Sequence, residues 1–517
     1  MMNLPDELPN ELLAEIFRNG VDLDRDEKQP RSLTTYCSVN ARWRALCHQT
    51  PELWTDIRIP LIHVRSQATF EKAQIWFERS KTQLIDVTLI IVKAMLKMAT
   101  HDDYDVMRDT VIMLESHISR IRRFNFWSEI PFGSCLINRV SYHLHRYHAP
   151  HLTDICLKFG FPPGTSNDNR HVIAMARPAR VPLFNSAPQL RHQTLRGINL
   201  QFPLSGLRSL DLFDIIPTQW SLHDLSIDSP ALEELRLLWL HPMRDPGRFD
   251  SWPTEYLFPA LRSLVVSFIP YWIELDHSIS ALALMSCPNL EFLEIRGPFV
   301  PNTAVSFFDP TLLARLHTLC LQDVKFVKPS LLGVDCYDLT FYLALTSVQH
   351  LQLKNTPLEP LFLKEDTKRK SLLRSRLALQ PKGLSRIQKE ESPAESGPFP
   401  SENPSALNPR AASSHTYWPN LNAITLDTAH TKDIICLCKL IAERPEIKTV
   451  YLSPSAKRLL ASSVTVRRGD QTDRVSSHWD LNLKKKNWVR KDRIDPVAWL
   501  EQRVEVREYH AKKETFH

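Results

Sequence analysis

Leu207-Arg208-Ser209-Leu210-Asp211-Leu212 is one copy of a pattern that runs through most of the chain. An apolar residue is followed by two variable positions, a second apolar residue, one variable position and a third apolar residue. The second and third lie two apart, so they point to the same side of a short strand, and the first sits in the turn before it. Outward from this copy the pattern fits Leu232/Leu235/Leu237, Leu261/Leu264/Val266, Leu290/Leu293/Ile295, Leu316/Leu319/Leu321 and Val348/Leu351/Leu353. The first residues of these six copies are spaced by 25, 29, 29, 26 and 32 positions. Upstream it fits Leu84/Val87/Leu89, Ile121/Phe124/Phe126 and Leu152/Ile155/Leu157, and downstream Leu421/Ile424/Leu426 and Ile447/Val450/Leu452. A degenerate copy begins at Leu190, with Leu195 as its next apolar residue. Proline often stands two positions before the first apolar residue. Helix-like patterns such as Ser278-Ile279-Ser280-Ala281-Leu282-Ala283-Leu284-Met285 fill the intervals. A strand with its helix cannot bury its own apolar edge, so the units are expected to stack in parallel and share one core.

Composition sets limits on what else the chain is. It has 517 residues, 43% hydrophobic and 24% charged, which is enough for two or three domains. Only 12 are glycine against 37 proline. Loops that cradle phosphate need glycine at tight turns and close approaches. No G-x-G-x-x-G, G-x-x-x-x-G-K or G-x-S-x-G occurs, which argues against nucleotide enzymes and α/β-hydrolases. Nine cysteines without a C-x-x-C, and an acidic start lacking the regions of a signal peptide, lead to the expectation of an intracellular protein with reduced thiols. No apolar run is long enough to cross a membrane.

The net charge of +6 is unevenly placed. Residues 368–389 hold eight Lys or Arg and no acid, and residues 484–493 hold six against one Asp. The rest is therefore acidic. Residues 364–416 interrupt the repeat and carry five prolines between 393 and 409, with Ser392, Ser396, Ser401 and Ser405 among them. Such a stretch cannot bury enough surface to fold and is expected to be a disordered excursion from one coil. From about 476 the repeat is lost, and a capping helix with a frayed tail is expected.

The first sixty residues have a different rhythm. Leu8, Leu12, Leu13, Ile16 and Phe17 predict one apolar helix face, with Pro9 at the first helical position and Gly20 after the last. An acidic loop follows. A second helical run then carries Leu33, Tyr36, Cys37 and Val39, and a third carries Trp43, Arg44 and Leu46 before Thr50-Pro51-Glu52-Leu53-Trp54. Three short helices bury only a modest core, so a partner or the following domain is expected to complete it.

In order and spacing, L-P-x-E-L-L-x-E-I-F, a variable acidic loop, L-x-x-x-C-S-V-x-x-x-W-R-A-L and T-P-x-L-W resemble an F-box over residues 4–57. The version it looks most like is common in mushroom-forming (basidiomycete) fungi, with a long first loop. Asn40 is a departure, since that group often carries Cys there. The repeats in turn resemble a leucine-rich-repeat array. The Asn or Cys expected after each strand is replaced by apolar residues (Ile215, Leu240, Ile269, Val324), which predicts irregular coils. Together the resemblances imply an α/β chain: a small all-α F-box at 4–60, then an irregular solenoid of parallel strands with helices on the outer face. The solenoid would run over 61–363 and 417–475, split by the insert at 364–416, with a basic cap and tail at 476–517.

The F-box resemblance implies docking on a Skp-type adaptor and, through it, on a cullin–RING ubiquitin ligase. The matching positions are Leu8, Pro9, Leu12, Ile16 and Phe17 on the first helix, Leu33, Cys37 and Val39 on the second, and Trp43, Arg44 and Leu46 on the third. Of these, Leu12, Ile16 and Trp43 also suit a core, Pro9 and Phe17 suit contact best, and Cys37 reads as a small buried hydrophobe. A target protein would meet exposed strand positions between the buried apolars, such as Arg208, Asp211, Glu234, Arg236, Glu294 and His350.

Other constellations point to less. His143, His145, His148 and His151 cluster without H-E-x-x-H spacing or an acidic base, so no metal site is expected. Asp22-x-Asp24-x-Asp26 lacks the Gly and the final Glu of a calcium loop. The two basic stretches read as solvated charge; 368–389 also suits a nuclear-import signal, so the expected location is cytoplasm, nucleus or both. No residue is expected to do covalent chemistry, and no cofactor, membrane or nucleic-acid partner is expected. The alternatives are a scaffold working without ubiquitin and a nucleic-acid-associated protein using the insert and tail.

Overall fold

The computed structural model describes residues 8–23, 32–60, 67–91, 102–128, 142–159, 183–196, 206–213, 219–240, 256–268, 285–297, 315–324, 345–358, 418–427, 431–463 and 496–509. The chain divides into two compact units, Met1–Lys328 and Pro329–His517.

The first unit opens with helices α1 (Asn10–Leu23), α2 (Ser32–Val39) and α3 (Ala41–Gln49) and a 3-10 turn at Pro51–Trp54. Strands and helices then alternate: β1 (Asp56–Pro60), α4 (Gln67–Arg79), β2 (Ile85–Ile91), α5 (Asp102–Glu115), β3 (Ile121–Ser128), β4 (Asp154–Phe159) and β5 (His192–Arg196). After these come β6 (Ser209–Phe213), α6 (Gln219–Asp228), β7 (Glu234–Leu240), β8 (Tyr256–Leu257), β9 (Ser263–Phe268), β10 (Met285–Ser286), β11 (Phe292–Arg296) and β12 (Thr318–Gln322). Apart from β8 and β10, which pair with each other, each strand lies parallel to the next in sequence order.

The register lines the repeat up on itself. Phe124, Ile155, Gln193, Leu210, Leu235, Leu264, Leu293 and Leu319 are successive cross-strand neighbours, and so are Phe126, Leu157, Leu195, Leu212, Leu237, Val266, Ile295 and Leu321. Nearly all are buried, and each buried apolar one contributes about 1.5–3 kcal/mol on leaving water. Three departures are informative. Leu84 is exposed, and Ile85 and Val87 carry the burial of its coil. Leu212 is only half-buried. In the degenerate copy Leu195 is not late; Gln193 occupies the middle apolar position, 2% exposed, with neither amide atom hydrogen-bonded.

The recurrent proline has a local cause. Leu152, Leu190, Leu232, Leu261 and Leu290 each donate a backbone hydrogen bond to the carbonyl three residues back, on Ala149, Ala187, Ser229, Phe258 and Cys287, at 3.1–3.3 Å. Proline is the second residue of each of these turns, where its fixed φ suits a β-turn and its missing N–H costs nothing. One residue on, a single carbonyl accepts from two consecutive amides of the next coil. The Arg208 carbonyl takes Glu233 and Glu234, that of Glu233 takes Arg262 and Ser263, and that of Arg262 takes Glu291 and Phe292.

One feature here differs from the sequence expectations. A strand, β1, precedes the first repeat copy: Trp54, Ile57 and Ile59 have the same spacing, are buried and stand in register with β2. The helix-like run ending at Met285 lies outside the described residues except for Met285 itself, which is extended and pairs with Tyr256.

The end of α4 is held from the next coil. The Arg120 guanidinium donates to the carbonyls of Phe77 and Gln83 (3.3 Å each), to that of Lys81 and to the Ser80 hydroxyl (3.2 Å). It also lies 3.2 Å from His117 Nδ1, which must accept because arginine has only donors. His117 stacks on Phe77 with ring centroids 4.3 Å apart. Burial, then the Arg120 charge, brings its pKa down from 6.5 to about 4.

The second unit holds β13 (His350–Lys354), β14 (Ala423–Leu426), α7 (Thr431–Glu443), β15 (Thr449–Leu452), α8 (Pro454–Ser463), α9 (Pro496–Glu501) and β16 (Glu505–Glu508), its strands again parallel in sequence order. The insert at 364–416 lies outside the described residues, as do both basic stretches. On either side of it the pattern closes without a break. His350 pairs with Ala423, the buried Asp433 accepts from the Leu358 N–H at 2.8 Å, and Asn420 donates to the Thr346 carbonyl at 2.9 Å. The expected loss of the repeat near the end is corrected by β16, which pairs with β15 and places Val506 beside Val450. The sequence pattern misses this copy because Glu508 stands where the third apolar residue would be.

Two measurements test these points. Gln193→Leu removes two unsatisfied polar atoms and is expected to add about 1–2 kcal/mol of stability, read as a higher urea midpoint at unchanged slope. Because the fold holds His117 neutral, its contribution is complete above pH 6.5 and is lost as the pH falls toward 4. His117→Gln, which keeps an acceptor for Arg120, is expected to lessen the drop in melting temperature between pH 7.5 and 4.5.

Candidate functional site

The helical start of the first unit closes its own core. Leu13, Ala14 and Phe17 of α1 meet Leu33 of α2, Leu46 and Cys47 of α3, and Leu53 and Trp54 of the following turn. Phe17 stacks on Tyr36 at 4.5 Å and meets Trp43 at 4.9 Å. Burial, then the neighbouring Cys37, pushes the Cys47 thiol up to about 12. Cys37 itself is half-buried and packs against this core.

Short polar contacts fix the helices. Asn40, the departure from the family pattern, caps α3: its Oδ1 accepts from the Trp43 N–H at 2.8 Å. Arg42 donates to the Leu8 carbonyl and to Asn10 Oδ1 (2.9 Å), tying α3 to the start of α1. Arg44 reaches back to the Cys37 carbonyl at 2.8 Å. The Trp54 indole donates to the Cys47 carbonyl at 2.8 Å, packs edge-on against Trp76 of α4 at 5.6 Å and is covered by the Arg79 guanidinium at 4.3 Å. The helical unit and the first coil of the sheet therefore share a wall.

With the core closed, apolar surface is left over. Leu12, Ile16 and Val39 are 54%, 50% and 52% exposed, and Pro9 is exposed beside a half-buried Leu8. The expected single apolar face of α1 is two faces. Positions 13, 14 and 17 point inward, and positions 12 and 16, one turn apart, begin an outward stripe, while Leu8 packs back on the core from before the helix. Leu23 continues that stripe and is exposed. The sequence reading missed it because Gly20 was expected to end the helix, whereas α1 runs through to Leu23. Phe17, Leu33 and Leu46 are buried and offer no surface to a partner, which corrects the expectation for Phe17 above all. Trp43 is half-buried and Arg44 exposed.

The strand positions expected to meet a target are placed as follows. Arg208 precedes β6 and lies 3.3 Å from Glu233, both exposed. Asp211 and Arg236 are cross-strand partners, 3.8 Å apart and half-buried. Glu234 is exposed, with the Ser209 hydroxyl 3.4 Å away. Glu294 is not exposed: at 3% it is buried with Arg296, 2.6 Å away, between the buried Val265 and Cys320. His350, in the second unit, is half-buried; its Nε2 lies 2.7 Å from the Thr425 hydroxyl and burial lowers its pKa.

Among the described residues no group of three His, Cys, Asp or Glu is placed to hold a metal, and no helix is long and apolar enough to cross a membrane. His148 and His151 are exposed, and His143 and His145 half-buried. Of the acidic triplet only Asp22 is described. The seven described cysteines are all free thiols.

Gly20 has a packing reason rather than a stop-signal one. A Cβ there would fall on the hydroxyl of Tyr36, whose ring is held by Phe17 and Trp43. Alanine in place of glycine inside a helix normally adds about 1 kcal/mol. Gly20→Ala is expected to destabilise instead, and Gly20→Ala with Tyr36→Phe to recover part of the loss. Thermal melts of the two single variants and the pair give the coupling.

The model of the F-box-like family matches residues 5–60, from the approach to α1 to the last residue of β1. Among curated proteins none matches the chain. F-box domains generally bind Skp-type adaptors, which suggests a part in Skp/cullin ligases in general. The chain thus carries an F-box-like domain at its helical start, joined to a region of mixed helices and parallel strands.

Proposed function

We propose that the protein is a substrate-recognition adaptor of a Skp–cullin–F-box type ubiquitin ligase and has no catalytic residue of its own. The observation that carries this reading is the outward stripe Leu12, Ile16 and Leu23, with Pro9 and Val39, left exposed by a helical unit whose core is already closed. Isolated exposed apolars are ordinary; a helical stripe of them is the usual signature of a partner helix or groove. The parallel strands act as an irregular leucine-rich-repeat solenoid of the kind found with F-boxes in mushroom-forming fungi, and their second face receives a target protein.

The mechanism is proximity. The adaptor grips one end, the target rests on the sheet, and the shared wall around Trp54 and Trp76 transmits a fixed geometry between them. Lysines of the target are thereby held where a ligase-bound ubiquitin reaches them, a gain in effective concentration.

Co-purification with a Skp-type adaptor tests this. Leu12→Glu with Ile16→Glu is expected to abolish it while leaving the circular dichroism and melting temperature near wild type, because neither side chain is in the core. Phe17→Ala is expected to cost about 3–5 kcal/mol, as large core truncations do, and to lose the adaptor only by loosening the unit. Failure of the wild-type chain to capture the adaptor, or capture unaffected by Leu12→Glu with Ile16→Glu, overturns the reading in favour of a scaffold that works without ubiquitin.

A further inference from the structure

Where the helical start meets the first coil, basic side chains gather around two indoles. Arg44 and His48 are four apart on α3, and Lys72, Trp76 and Arg79 are spaced by four and three on α4, so each set shares one helix face. Trp54 joins the two sets. The Arg79 guanidinium covers its ring at 4.3 Å, the His48 ring lies 6.0 Å from it, and Trp76 meets it edge-on at 5.6 Å. Lys72 Nζ lies 5.6 Å from the centre of the Trp76 ring. Arg44, His48 and Lys72 are exposed, and Trp76 and Arg79 are half-buried, so the group is reachable from outside.

No carboxylate offsets this charge. Glu52 of the intervening turn and Glu71 and Glu78 of α4 are exposed, yet among the described residues none is in an ion pair with any of the four basic side chains. Glu78 lies instead 3.4 Å from the Gln74 amide. Burial, then the charges of Arg79 and Arg44, lower the His48 pKa, as a positive potential with no acid to cancel it does. The contacts these side chains do make leave donors over. Arg44 gives Nε to the Cys37 carbonyl and keeps both terminal nitrogens. Arg79 and Lys72 meet ring faces, which attract the charge but supply no acceptor oxygen. A guanidinium held on an indole is already ordered and partly dried, so a carboxylate reaching it meets a stronger field at a smaller entropy cost. Lys72, Trp76 and Arg79 also lie beyond the 5–60 match to the F-box-like family, so half of the group belongs to the first coil rather than to the domain that meets the adaptor.

We propose that Arg44, Lys72 and Arg79, arranged around Trp54 and Trp76, dock an acidic segment of the target protein. Carboxylates sit on the guanidiniums and the ammonium, and an apolar side chain between them lies on the accessible part of Trp76. This rests on the reading of the chain as a target-binding adaptor, adds a contact outside the sheet, and is measured without the adaptor.

The probe is a fluorescein-labelled peptide of Asp-Phe-Glu-Gly repeats, titrated with the full chain and followed by fluorescence anisotropy. Binding is expected, weakening as salt rises from about 0.05 to about 0.5 M. Lys72→Glu with Arg79→Glu is expected to weaken it by about tenfold or more, the scale of one lost charge-assisted hydrogen bond. Arg262→Glu, just before β9, is expected to leave it unchanged. Should the charge reversal lower the melting temperature, Lys72→Gln with Arg79→Gln replaces it. The stretches 368–389 and 484–493 are also strongly basic, so a benzophenone in place of the peptide phenylalanine maps the contact by mass spectrometry. Cross-links within 44–54 and 72–79 are expected. Absence of binding, undiminished binding to either double variant, cross-links confined to the two basic stretches, or equal binding of a peptide with Lys in place of its acids overturns the proposal. Loss of adaptor capture by Lys72→Gln with Arg79→Gln at unchanged melting temperature also overturns it, by giving the group to the adaptor. Adaptor capture by the wild-type chain is scored separately, so failure of the ligase reading and failure of this contact give different results.

Discussion

The structure depends on parallel strands stacking in step, so that nearly every described coil places two apolar side chains against the same two of its neighbours. Strands of four to eight residues have no stability alone. Side-chain alternation means that a slip of one residue would turn each buried pair to the other face. Two devices hold the step. A proline-marked turn fixes the chain just before β4, β5, β7, β9 and β11, and a carbonyl that accepts two amides of the following coil sets the start of β7, β9 and β11. Gln193 measures how firmly the step is held, since a polar side chain is carried into the core because its neighbours Ile155 and Leu210 are aligned.

The helical start follows a different constraint. Its eight buried residues make a core too small to tolerate slack, and contacts that look incidental in the sequence become specific in it. Asn40 begins a helix, Gly20 makes room for a ring, and Trp54 belongs both to the helical unit and to the first coil. That double membership means the F-box-like match ends inside the sheet, since its last five residues are β1.

Much of this was legible in the residues, and the misses have physical causes. The repeat triplets predicted the strands because burial on one face imposes a period of two, which composition cannot disguise. β1 escaped because Trp54, Ile57 and Ile59 read as the tail of the helical unit, and β16 escaped because its third position is Glu508. For the candidate site, apolar residues on α1 were visible but not which way they point. Leu12 and Leu13 differ by about 100° around a helix, and only the positions of α2 and α3 decide which is interior. Glu294 misled for the converse reason: a charged residue in a strand reads as exposed, yet beside Arg296 it is buried as an ion pair.

The pairing of β13 with β14 has a consequence for how the chain tolerates change. Their repeat copies begin 73 positions apart, against 29 for β9 and β11, yet the strands meet in ordinary register. Closing the longer loop costs only about 0.8 kcal/mol more in chain entropy, because that cost grows with the logarithm of length. The Leu358–Asp433 and Asn420–Thr346 bonds lie just outside its ends and set them independently of what runs between. A fold assembled from neighbour-to-neighbour contacts is in this sense open to insertion at any coil boundary. New sequence can be acquired, lengthened or lost there during evolution at almost no thermodynamic penalty.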